Sequence, residues 1–159
     1  MIDEGVKQNM IKFGCQTYAW YMSFEKYKDR ISDIIDTMAL ENYEGIETST
    51  YFLSKDNEDE FRIKITSAGI QLASYGLGLD WLGETETDEE YQIAEDVIAM
   101  VSRFPGTLLM LSHDPKGDRT GDLRKKQRNQ IGIVNAVAKR AHEAGLRCAY
   151  HANSADNAL

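Results

Sequence analysis

Five short apolar runs, each ending in polar residues and separated by amphipathic helical patterns, constrain this chain more than any other feature. The runs are Lys12 to Ala19, Gly45 to Thr48, Ile70 to Tyr75, Thr107 to Ser112 and Leu146 to Tyr150; the last leads into the polar tip His151-Ala152-Asn153-Ser154. Strands alternating with helices imply a parallel sheet, because a parallel return needs a crossover long enough to hold a helix. Chemistry in such sheets gathers at the carboxyl ends of the strands. A closed barrel of this kind has eight βα units in about 250 residues. The expected fold class is therefore α/β: a partial (β/α)8 barrel of about five parallel βα units, not closed. Residues 1–159 would be the N-terminal portion of one domain, with 1–11 a loose leader.

The helical patterns carry their own punctuation. Phe24, Tyr27, Ile31, Ile34, Ile35 and Met38 follow three-four spacing, which predicts one helix over Phe24–Glu41 with Ser23 as its N-cap. Asp56–Ala68 reads as the second helix, closed by Gly69, a residue that takes left-handed dihedrals cheaply. The third spans about Asp88–Arg103, with acidic residues at its positive end and Tyr91, Ala94, Ile98 and Val101 on one face; Pro105-Gly106 breaks the pattern. The fourth runs from about Leu123 to Ala144, with Ile131, Val134, Ala138 and Ala141 sharing a face and Gly145 closing it.

Charge excludes some functions. A net charge of −8 repels phosphate backbones, so no nucleic-acid partner is expected; the basic run Arg124-Lys125-Lys126-Gln127-Arg128 reads as a solvated helix start. No apolar stretch reaches membrane-spanning length, so no membrane partner is expected either. No basic-then-apolar leader is seen at Met1, and Cys15 and Cys148 read as core-like residues within strands, which together imply the cytoplasm. Gly76-Leu77-Gly78 followed by Gly83 resembles a dinucleotide loop, but Trp81 occupies a required glycine position and no helix follows at once. No P-loop, paired-cysteine zinc pattern or HExxH is present.

Strand parity points to a polar site. Gly14, Gln16 and Tyr18 share one face of strand 1; Gly45 and Glu47 share one in strand 2; Arg147, Ala149, His151 and Asn153 share one in strand 5. Gln, Glu, His and Asn facing inward are costly unless they bind each other, a ligand or a metal. Glu47 is a candidate general base, an acceptor for a sugar hydroxyl, or an ion-pair partner of Arg147. His151 is a candidate metal ligand or acid–base group, or a hydrogen-bonded strand-end histidine. His113, in the charged stretch His113-Asp114-Pro115-Lys116-Gly117-Asp118-Arg119, is a substrate-contact candidate or part of a surface turn. Trp20 and Trp81 follow strands, where an aromatic either walls a sugar pocket or covers the barrel rim. His142 lies on the fourth helix, away from any strand end.

These residues resemble a known family. Phe13-Gly14-Cys15-Gln16-Thr17-Tyr18-Ala19-Trp20 looks like the opening strand of the sugar phosphate isomerase/epimerase family, the xylose-isomerase-like TIM barrels, and Tyr43-Glu44-Gly45-Ile46-Glu47 resembles its second strand. Asn135 to Leu146 is similar to its fourth helix, and Tyr150-His151-Ala152-Asn153-Ser154 to its fifth strand end. The resemblance covers residues 12–154 and implies a divalent metal (Mn2+, Mg2+, Co2+ or Zn2+), held by carboxylates and a histidine from strands 5 to 8. His151 stands where many members place their first metal ligand, there a carboxylate; the other ligands would lie beyond Leu159.

The implied activity is isomerisation or epimerisation of a sugar, sugar phosphate or polyol-derived ketone, by proton abstraction next to a carbonyl through an enediolate. Glu47 and His151 are the expected catalytic residues; Gln16, Trp20, His113 and Asn153 the expected substrate contacts. Competing readings are a related metal-dependent lyase or dehydratase, a truncated sugar-binding fragment without catalysis, and an endonuclease-like barrel acting at abasic sites. Open edges at strands 1 and 5, and inner-face residues such as Ala73, Leu109 and Leu111 left partly covered, would favour self-association and leave these 159 residues inactive alone.

Overall fold

A computed structural model of the chain describes residues 11–114 and 122–152. Five parallel strands form one sheet in sequential order: β1 (Gly14–Gln16), β2 (Gly45–Ser49), β3 (Gln71–Leu79), β4 (Leu108–His113) and β5 (Arg147–His151). The helices between them are α1 (Tyr18–Tyr21), α2 (Phe24–Tyr27), α3 (Ile31–Leu40), α4 (Glu58–Ala68), α5 (Asp88–Val101) and α6 (Leu123–Glu143). The sheet is open, with β1 and β5 as its outer strands. The expected βα alternation and the partial barrel are therefore both present.

The core lies between the helices and one face of the sheet, here the outer face. Ile34, Ile35 and Met38 of α3, Phe61 and Ile65 of α4, and Ala94, Ile98 and Val101 of α5 are buried against Ile46, Leu72, Leu77, Leu109 and Leu111 of the strands. Gly69 and Gly145 terminate α4 and α6 with φ of 70° and 85°, as expected of glycines that reverse the chain into the next strand. At the start of α5, the Thr87 hydroxyl accepts from the Glu90 amide while the Glu90 carboxylate accepts from the Thr87 amide, a reciprocal cap that satisfies two free donors.

Several expectations are corrected. The first helix is split: α2 ends at Tyr27 and α3 begins at Ile31, although no glycine or proline intervenes. Phe24 packs edge-on to Tyr51 and Phe52, each with ring centroids 5.8 Å apart, while the Ile31-Ile34-Ile35-Met38 stripe faces the sheet. A straight helix cannot aim both sets at their targets. Ser23 makes no side-chain cap. Strand 1 is shorter than expected, because Tyr18–Tyr21 coil into α1.

Strand 3 is longer than expected and continues through Gly76-Leu77-Gly78 to Leu79. Its glycines fit a crowded centre: a Cβ on Gly78 would lie 3.0 Å from the Ser112 hydroxyl. On α6 the buried stripe is Gln130, Ile133, Val137 and Ala141, and Ile131 is 62% exposed. On β4, Leu109 and Leu111 are 0% and 1% exposed against the helices, so the inner face carries Leu108, Met110 and Ser112 instead. Trp81 is fully buried.

Candidate functional site

The inner face, which the helices leave uncovered, is built from small and polar residues. Gly45 approaches β3 so closely that a Cβ there would meet the Ala73 methyl at 3.2 Å. One residue later the β2–β3 register shifts, Ile46 pairing with Leu72 but Glu47 with Ser74, so Ala73 is extra. Such bulges re-aim side chains beside functional sites. Ser74 stands opposite Glu47 with its hydroxyl buried and without a hydrogen-bond partner among the described residues.

Parallel register brings Gln16 of β1 beside Glu47 of β2. The pairing extends one residue further, where the Thr17 amide donates to the Glu47 carbonyl at 2.9 Å and the Thr17 and Thr48 hydroxyls meet at 3.3 Å. Backbone thus locks the two strand ends together, and the Gln16 side-chain amide donates to the Glu47 carboxylate at 2.5 Å. Glu47 is half-buried, and among the described residues no hydrogen bond engages its second oxygen.

A cavity of about 130 Å³ opens over this pair, lined by Gln16, Glu47, Ser49 and three tyrosines, Tyr18, Tyr21 and Tyr51. The Tyr21 and Tyr51 rings are in contact, tilted by 35° with centroids 4.2 Å apart. The Tyr21 hydroxyl, and after it burial, pushes the Tyr51 phenol up to about 12, so it stays neutral well above the usual tyrosine range. Burial also pushes the Cys15 and Cys148 thiols up, which suits packing residues rather than nucleophiles.

The expected site residues are placed as follows. Gln16 and Glu47 come together. Arg147 lies at the opposite end of its strand and donates to the Gly106 carbonyl at 3.3 Å, so it is no partner for Glu47. His151 is exposed at the carboxyl end of β5, with Ser112 as its register partner. Three strand steps of ~4.8 Å, about 14 Å along the sheet, separate its strand from that of Glu47. His113 reaches the same end of the sheet but shares the face of Leu109 and Leu111; it is 6% exposed, with its Nε2 3.9 Å from the Asp80 carboxylate. It faces away from the Gln16–Glu47 pair. Trp20 sits on α1, half-buried against the core, and the cavity is walled instead by Tyr18 and Tyr21 of the same turn.

Asn153 and residues 115–119 of the charged stretch lie outside the described residues. Sequence reasoning passed over Tyr21, Ser49 and Tyr51; the available signal was the density of aromatics directly after the first two strands.

No group of three or more His, Cys, Asp or Glu converges to hold a metal ion among the described residues. The described residues do not by themselves make a complete divalent-cation site. No described helix is long and apolar enough to cross a membrane.

No family model matches the sequence, and no curated protein matches it. Solved structures do match its fold. A sugar phosphate isomerase/epimerase from Parabacteroides distasonis superposes with a TM-score of 0.60 at 16% identity, over 95% of this chain and 55% of that one. The probable 3-DHS dehydratase AsbF of petrobactin synthesis, from Bacillus anthracis, gives 0.64 at 14% identity, over 90% and 53%. The IolI protein, solved with a zinc atom, gives 0.64 at 10% identity, over 89% and 51%. A xylose isomerase-like TIM barrel fused to a dioxygenase is matched as well. The fold is thus that of part of a TIM barrel, similar to that of these proteins, and the chain spans about half the length of the first three structures.

Proposed function

We propose that this chain is part of a sugar isomerase or epimerase that abstracts a proton next to a carbonyl. The observation that carries this reading is the Glu47 carboxylate, oriented by the Gln16 amide at the carboxyl-end mouth of the inner face. A carboxylate fixed on one side and open on the other can take a proton from a substrate carbon or hold a hydroxyl. Residues on rigid strands place it better than a loop would. The likeness to a sugar phosphate isomerase/epimerase supports the substrate class.

A divalent metal, as in the zinc-bearing IolI, would polarise the carbonyl when bound. His151 is the residue of this chain proposed to contribute to its ligand set. Asn153 is proposed as a further substrate contact, and the cytoplasm as the compartment. His113 is reassigned to positioning the β4 end, since it packs on the helix side.

The test is solvent deuterium exchange beside the carbonyl of a ketose panel, with a divalent cation and with chelator. In a closed barrel carrying these five units, exchange is expected, is lost on chelation, and falls at least a hundredfold in Glu47→Gln. Exchange that survives exhaustive chelation rejects the metal; a dehydrated product moves the protein to the lyase reading, which the AsbF likeness favours. For the 159 residues alone we propose no turnover and a tendency to associate through the β1 and β5 edges. A monodisperse monomer with turnover, seen by sedimentation and assay, would show the five-stranded sheet to be sufficient.

A further inference from the structure

The turn that carries Tyr51 is tied down by two side chains that do not line the cavity. Ser49 ends β2, and its carbonyl accepts from the Phe52 and Leu53 amides, both at 3.1 Å, which closes a turn through Thr50 and Tyr51. Side chains then take three successive backbone groups. The Asn57 side-chain amide donates to the Phe52 carbonyl at 2.9 Å, and the Tyr75 hydroxyl donates to the Leu53 carbonyl at 2.8 Å. The Ser54 backbone amide donates to the Asn57 side-chain oxygen at 2.9 Å.

Packing and helix capping do not account for these two residues. Asn57 occupies the N-cap position of α4, where an asparagine ordinarily accepts from a helix amide, yet its side chain makes no such bond; both ends of its amide serve the turn. Tyr75 of β3 is fully buried, and a phenylalanine would fill the same core space; what the hydroxyl adds is the bond to Leu53. Burial pushes the Tyr75 phenol above the usual tyrosine range, so it remains a donor. Phe52 and Leu53 are buried and hold the turn down. Burial has no direction, however, whereas hydrogen bonds fix how each peptide plane is rotated. With the planes after Tyr51 set, its ring is aimed at Tyr21.

We propose that Tyr75 and Asn57 are positioning residues: through the backbone of Phe52, Leu53 and Ser54 they hold the Tyr51 ring against Tyr21 in the wall of the cavity over Glu47. That this wall bears on a substrate rests on the function proposed above; that these two residues hold it does not.

The experiment is NMR on the 159-residue chain carrying carbon-13-labelled tyrosine, reading the Overhauser contact between the Tyr21 and Tyr51 rings at neutral pH and then the Tyr51 phenolate transition on raising the pH. In Tyr75→Phe and in Asn57→Ala the ring contact should weaken, and the transition should fall from about 12 toward the ordinary 10.0, with circular dichroism unchanged. Leu111→Ala opens the core on β4, two strands from β2, and should leave both signals as they are, which separates mispositioning from general destabilisation. An unchanged ring contact in either folded variant, or an equal loss in Leu111→Ala, would overturn the proposal; if Tyr75→Phe does not fold, Asn57→Ala decides alone. In the closed barrel Tyr75→Phe should raise KM for exchange about threefold or more and leave kcat within about twofold, since Tyr51 walls the site and moves no proton. The two readings fail separately: a barrel without exchange defeats the reaction and leaves the ring contact readable, whereas an unmoved Tyr51 defeats the positioning and leaves the reaction standing.

Discussion

The two faces of the sheet obey different rules. On the outer face, Ile46, Leu77, Leu109 and Leu111 are sealed beneath helices and touch almost no solvent. On the inner face, Gly14, Gln16, Gly45, Glu47, Gly76, Met110 and Ser112 are small, polar or half-exposed. The difference shows where each kind of free energy resides. Apolar burial against α3 to α6 holds the strands in register, and the inner face can then present a carboxylate whose burial alone would be destabilising.

The sharpest way to break this contrast is a pair of neighbours on β4. Leu109→Ala should cost about 2–5 kcal/mol in denaturant unfolding, because a fully enclosed cavity is left. Met110→Ala, on the inner face, should cost under about 1.5 kcal/mol. Equal losses would mean that the inner face is as tightly packed as the outer one.

A smaller effect is expected on the outer shell. Arg140 of α6 donates to both Glu86 oxygens at 2.8 Å and to Glu95 at 2.7 Å, and lies 4.7 Å from the Tyr91 ring centre. Arg140→Ala should destabilise by about 1.5–3 kcal/mol, since it leaves the Glu86 carboxylate largely buried without its partner. A loss below about 0.5 kcal/mol would place this clamp among ordinary surface ion pairs.

The third expectation concerns pH. The folded-state value of Tyr51 is raised, from 10.0 to about 12, so the fold favours its protonated form. The resulting stability is fully present below pH ~10 and is lost as pH rises through the folded value. Absorbance titration of phenolate in wild type and Tyr51→Phe should show one missing high-pH transition in the variant. A normal value for Tyr51 would dissolve the Tyr21–Tyr51 contact.

The smallest stability effect should come from the residue proposed to move the proton. Glu47→Gln is isosteric and should shift unfolding by less than about 0.5 kcal/mol, in contrast to its expected loss of exchange activity. A large destabilisation would return Glu47 to a structural role.

The order of elements, the two glycine stops and the inward parity of Gln16 and Glu47 were readable in the chain, because periodicity and turn chemistry are local. That Gln16, and not Arg147, is the partner of Glu47 was not, because it depends on which strands lie side by side and in what register. The face of β4 was not readable, because Leu108, Leu109, Met110 and Leu111 are all apolar and alternation has nothing to mark. The side His113 takes was unreadable for the same reason: its parity follows from Leu109 and Leu111, whose side depends on the helices covering them. The split between α2 and α3 and the exposure of Ile131 likewise depend on where partners lie in space.

The sequence by itself determined that these residues alternate strand and helix and that polar groups cap the strand ends, because those signals lie within a few residues of one another. Only the tertiary structure decided that Tyr21 and Tyr51, thirty positions apart, wall the cavity over Glu47. That contact joins two different βα loops, and no local preference encodes the distance between them.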